Sequence, residues 1–122
     1  MTPMQLASIF TVLDTHGVQD ILRVQSIAHA FRPGEHITAV WVRPEDWAAV
    51  FDSLSYEAQE PPTVRASLAT TGADITLNID AESYRVFCWW PLRDVAAVAE
   101  RLEAAGVDQK MVAAWATLGG AA

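Results

Sequence analysis

The chain is short of several things, and each scarcity narrows what it can be. One cysteine, Cys88, stands in 122 residues. No internal disulfide can form, which fits a reducing compartment. None is needed, because a domain of this length buries about 65–70% of the surface its unfolded chain exposes. There is one lysine, Lys110, and the seven arginines are scattered: Arg23, Arg32, Arg43, Arg65, Arg85, Arg93 and Arg101. Binding to a phosphate backbone draws on clustered Lys and Arg. With fifteen acidic residues against eight basic ones and a net charge of −7, no nucleic-acid partner is expected. No apolar run approaches the roughly 18 residues of a membrane span. Met1-Thr2-Pro3-Met4-Gln5 has no basic stretch ahead of its apolar residues, as a signal peptide would. A cytoplasmic chain with no membrane partner is expected. Catalytic signatures are missing as well: there is no GxSxG, no Walker loop, no glycine-rich turn after a strand, no HExxH and no CxxC.

What remains is a globular composition, 52% hydrophobic and 19% charged, in a single domain over residues 1–122. Arginine in place of lysine and 21 alanines are the mark of a GC-rich coding sequence. They point to a high-GC bacterium or a phage of one.

The densest stretch is Tyr84-Arg85-Val86-Phe87-Cys88-Trp89-Trp90, closed by Pro91. Aromatic and β-branched residues fit a pleated surface, and proline cannot continue a ladder, so this is a strand. Alternation sends Tyr84, Val86, Cys88 and Trp90 to one face and Arg85, Phe87 and Trp89 to the other. Before it, Val64, Ala66 and Leu68 alternate with polar or small residues, as do Ile75, Leu77 and Ile79. Turns at Thr71-Gly72 and Ala81-Glu82 then set Leu68 opposite Ile75, and Ile79, Leu77 and Ile75 opposite Tyr84, Val86 and Cys88. One face of this meander is uniformly apolar. On the other, Arg65, Ser67, Thr76 and Asn78 surround Phe87 and Trp89.

Earlier in the chain, Thr2-Pro3-Met4-Gln5 has the form of a capping box with proline at the first helical position. Leu6, Ile9, Phe10 and Leu13 follow as one helical stripe, and Gly17 suits the stop, giving a helix over about 3–16. Residues 22–31 and 36–42 are expected to pair as a hairpin about Pro33-Gly34, with Phe31 facing His36, His29 facing Thr38 and Ile27 facing Val40. Trp41 then lies beside Ser26 on a small-residue face that a helix can cover. Pro44 opens a second helix over about 44–54, with Trp47, Val50, Phe51 and Leu54 on its stripe, and 55–62 is a loop. After Pro91, Val95, Val98, Ala99, Leu102 and Ala105 form a helix ending at Gly106. Asp108 caps a last short helix holding Met111, Val112, Trp115 and Leu118, and 118–122 frays.

The order α-β-β-α-β-β-β-α-α describes an α+β domain: a mostly antiparallel sheet of about five strands with helices packed on one face. Its expected core is Leu6, Phe10, Leu13, Trp47, Val50, Phe51, Leu54, Ile75, Leu77, Ile79, Val86, Val98 and Leu102.

Little in this pattern carries chemistry. His29 and His36 fall on one face of the hairpin, but a metal needs a third ligand that no spacing supplies, so neither metal nor cofactor is expected. Cys88, opposite Ile75, is buried and inert. Acid pairs such as Glu100 and Glu103 lie on solvated helix surface. Trp47, Trp90 and Trp115 are assigned to the core, which leaves Phe87 and Trp89. Exposed aromatics rimmed by polar groups mark interfaces. The sequence therefore points to a non-enzymatic protein–protein interaction module, acidic overall, that binds another protein or a second copy of itself. Its surface is made by Phe87, Trp89, Arg65, Thr76 and Asn78. The alternative is a small-ligand-binding or simple enzymatic α+β domain with a pocket near His29, His36 and Trp41.

Overall fold

Pro3 and Pro44 each start a helix because their fixed φ suits the first turn and their missing N–H is not needed there. In the computed structural model, which describes residues 3–29 and 31–120, these helices are α1 (Pro3–Thr15) and α2 (Pro44–Ala58). The expected cap at Thr2 lies outside the described residues. Between them, β1 (Ile21–Ala28) and β2 (His36–Val42) form a hairpin. A meander follows: β3 (Thr63–Leu68), β4 (Asp74–Asp80) and β5 (Tyr84–Pro91). A 3₁₀ segment, Leu92–Ala97, leads into α3 (Ala99–Ala104), and α4 (Gln109–Leu118) ends the fold. The class is α+β, with the element order read from the sequence.

The five strands form one sheet in the order β1-β2-β5-β4-β3. The hairpin and the meander are each antiparallel. They join along a parallel seam between β2 and β5, from Thr38 opposite Tyr84 to Trp41 opposite Phe87. The sheet is therefore mixed, though mostly antiparallel. No described helix is long and apolar enough to cross a membrane.

The core lies on the sheet face that carries Val40, Val42, Val64, Ile75, Leu77, Ile79, Tyr84, Val86, Cys88 and Trp90, and the helices cover it. Trp47 of α2 is fully buried there. Its indole N–H donates to Val86 O at 3.1 Å, tying α2 to the central strand. From α1, Ile9 and Leu13 enter the core, while Leu6 and Phe10 stay half-buried. The α1 stripe is thus rotated towards Ile9, and His16 completes it with Nδ1 2.7 Å from Ser53 Oγ. The Asp46 carboxylate, 3% exposed, accepts from the N–H groups of Gln19 and Asp20 and faces Arg43, which fastens the link from α1 to β1.

Four expectations are corrected. The helix α2 runs on through Ser55 to Ala58 and stops at Gln59 in the left-handed region (φ 54°), because Pro61-Pro62 excludes helix only from the residue just before it. The segment after Pro91 keeps its apolar stripe, with Val95, Val98 and Leu102 buried, but is not one helix. The Trp90 indole N–H takes Asp94 O at 2.8 Å. The N–H of Val98 then turns to Val95 O, which tightens the turn to 3₁₀. In the hairpin, His36 faces Ala28, Thr38 faces Ser26 and Val40 faces Val24. The connection spans residues 29–35 rather than a tight turn, and the register shifts by three. An odd shift exchanges the faces of one strand relative to the other. Between β4 and β5 the shift is two, with Ile79 opposite Val86 and Leu77 opposite Cys88, so those faces are unchanged.

Candidate interaction surface

Alternation puts every second residue of the sheet on the face away from the helices. One row crosses all five strands there: Arg23, Trp41, Phe87, Asn78 and Arg65 are successive neighbours. At its centre Trp41 stacks on the two aromatics that β5 turns to this face, with ring centroids 4.8 Å from Phe87 and 4.2 Å from Trp89. Trp41 is 8% exposed and Phe87 half-buried, but Trp89 remains 43% exposed. A packed pair of rings contributes about 0.5–1.5 kcal/mol beyond the area it buries, so Trp41 and Phe87 form a floor that holds the Trp89 ring at the surface.

The rim at one end of this cluster is ionic. The Asp80 carboxylate receives Arg85 Nε at 2.8 Å, Arg65 Nε at 3.2 Å and the Asn78 amide at 3.0 Å. Arg85 also donates to the carbonyls of Ala81 and Tyr84. The Arg65 guanidinium stands 5.9 Å above the ring of Phe31, which the 29–35 loop carries over this face and which is 77% exposed. Of the three buried side-chain polar atoms without a hydrogen-bond partner among the described residues, two are on this face, Trp41 Nε1 and Asn78 Oδ1. They flank Phe87 in the cross-strand row.

The five residues read from the sequence as a surface, Phe87, Trp89, Arg65, Thr76 and Asn78, sit on this face on three adjacent strands. Trp41 is the member that sequence reasoning missed, because the assumed turn turned it towards a helix. Both faces of β2 are largely apolar and buried, so no alternation in the sequence marked the face of Trp41. The alternative set is not brought together. His29 lies in the loop, its Nδ1 accepting the Phe31 N–H at 3.2 Å, and His36 lines a cleft beside α1 on the helix-covered side. Trp41 is on the opposite face. Cys88 is fully buried, and burial pushes its thiol well above the ordinary range. Among the described residues no group of three or more His, Cys, Asp and Glu is placed to hold a metal ion. No protein-family model matches the chain, and searches of curated proteins and of solved structures give no significant similarity.

Proposed function

We propose that this chain is a non-enzymatic protein-interaction module that docks its partner on the open, aromatic face of the sheet. One observation carries the reading. Trp89 is 43% exposed on a floor of Trp41 and Phe87, on the sheet face away from the described helices. Tryptophan and arginine are enriched in binding hot spots, where they offer large area and directional contacts. Here Trp41, Trp89, Arg65 and Arg85 share one patch. The acidic remainder of the surface steers towards a basic partner and away from nucleic acid. A reducing, cytoplasmic setting suits the single buried thiol, and the composition suits a small phage or high-GC bacterial protein. The pocket reading near His29, His36 and Trp41 has less support, since His36 and Trp41 lie on opposite faces.

The experiment compares Trp89→Ala with wild type as bait for affinity capture from the native host. Each captured protein is then purified and tested for one-to-one binding, with melting temperatures measured alongside. The reading expects a protein held by wild type and weakened at least about thirtyfold by Trp89→Ala, matching a hot-spot loss of about 2 kcal/mol. Stability should change little. Unchanged association with a large loss of stability sinks it.

A further inference from the structure

Strand β1 is an edge of the sheet with its backbone left open. The His29 N–H donates to Glu35 O at 2.9 Å in the same register as the β1–β2 ladder. Antiparallel alternation then gives Ile27, Gln25 and Arg23 the bonds to β2, and turns the N–H and C=O groups of Val24, Ser26 and Ala28 outward. Proteins blunt such edges with proline, charge, short length, bulges or a cover. The other edge, β3, is six residues long, follows Pro61-Pro62 and carries Arg65. β1 has eight residues, no proline and one charge, Arg23, and both that charge and its bulge at Ile21/Arg23 lie at one end. Leu22 and Val24 are 53% and 39% exposed.

Beside this edge α1 does not fill the space over the β1–β2 hairpin. It leaves a cleft of about 790 Å³ lined by Leu6, Ile9, Val24, Ser26, His36 and Thr38, with no Asp, Glu, Lys or Arg among the described residues of its wall. An open row of backbone groups is matched only by another extended backbone, and an uncharged cleft accepts apolar side chains from it. Charge selects which strand. Two copies of a −7 chain repel, but the repulsion is uneven along the sequence. Residues 1–28 hold two acids (Asp14, Asp20) and one base (Arg23), a net of −1, leaving thirteen acids and seven bases, −6, to the rest. The α1–β1 side is where like copies approach at least cost, and Ile21–Ala28 is itself an apolar strand with one charge.

We propose that a second copy of this chain adds its own β1 to this edge, antiparallel and about a two-fold axis normal to the sheet. One isologous contact then satisfies both open edges and closes. Leu22 and Val24 of each copy pack at the mouth of the other's cleft, and two five-stranded sheets become one of ten. Both aromatic patches come to lie on the same side of the joined sheet.

Sedimentation of the full chain across micromolar concentrations tests this, with Val24→Pro, Val24→Lys and Trp89→Ala beside wild type. The Val24 N–H faces outward, so proline there removes a dimer bond and none within the monomer; Val24→Lys instead brings charge to the cleft. Wild type and Trp89→Ala are expected to dimerise. Either Val24 variant should raise the dissociation constant about a hundredfold, because each change acts twice in a symmetric pair, while circular dichroism stays that of the wild type. If Val24→Pro fails to fold, Val24→Lys decides. A wild-type monomer at every concentration overturns the proposal, as does a dimer that Val24→Lys leaves intact. A dimer lost in Trp89→Ala but kept in Val24→Lys seats the second copy on the aromatic face, overturning this site and leaving the aromatic docking surface standing.

Discussion

Cys88 shows what a single side chain contributes when it is shut away from water. It is fully buried on the core face of β5, and desolvation raises its pKa above the ordinary 9.0. The sign of the linkage follows. A raised folded pKa means the contribution is complete below the unfolded value and is lost as pH rises past it, since the unfolded chain releases the proton and the folded chain holds it. Stability should therefore fall by about 1.4 kcal/mol for each pH unit above the unfolded thiol pKa. Tyr84, raised by burial and then by Glu57, adds a loss of the same sign only above its own ordinary 10.0. Urea unfolding of wild type and Cys88→Ala, kept below the tyrosine range, isolates the thiol. The variant should lose the slope between the ordinary thiol value of 9.0 and the ordinary tyrosine value of 10.0, and equal slopes there would refute the assignment. At Trp41 the imbalance is different. Its orphan N–H is a cost of roughly 1–3 kcal/mol in a buried site, carried against the ring stacking on Phe87 and Trp89.

Elements were legible in the sequence wherever periodicity and punctuation agreed. Pro3, Pro44 and Gly17 mark helix ends, the β4 alternation of Ile75, Leu77 and Ile79 marks a core face, and Asp108 caps α4 by accepting the Lys110 N–H at 2.8 Å. What could not be read was set by contacts between distant residues. The β1–β2 register depends on a seven-residue loop whose shape no local rule dictates, and with it went the face of Trp41. The break between the 3₁₀ segment and α3 depends on an indole from the preceding strand capturing one carbonyl. The parallel pairing of β2 with β5 has no local signature at all, because it joins residues far apart in sequence. Gly119 is another case of a long-range reason for a local residue. Its φ is ordinary for any amino acid, so glycine is not there for its backbone freedom. A Cβ would stand 2.2 Å from Leu92 O and 2.9 Å from Arg93 N, where α4 closes on the 3₁₀ segment. Gly119→Ala should cost about 1–3 kcal/mol by overpacking, lowering the melting temperature by several degrees. A melt that coincides with wild type would mean that α4 does not dock so closely.

The whole molecule is two locally built pieces meeting on one line. The β1–β2 hairpin and the β3–β4–β5 meander each close through short-range contacts, whereas the β2–β5 seam joins Thr38 to Tyr84 and Trp41 to Phe87. Closing long loops costs entropy before any contact rewards it, so the seam should be the last part of the sheet to assemble and the first to part. Trp41 belongs to one piece, Phe87 and Trp89 to the other, and their stack straddles the join. In hydrogen exchange, Trp41→Ala should strip protection from the β1–β2 amides while β3–β4 amides keep theirs. Uniform loss across the sheet would show that the pieces open together. A partner seated on that aromatic cluster would lie across the line of cleavage and act as a stitch, so that its binding free energy would appear as slower opening of strands it never touches.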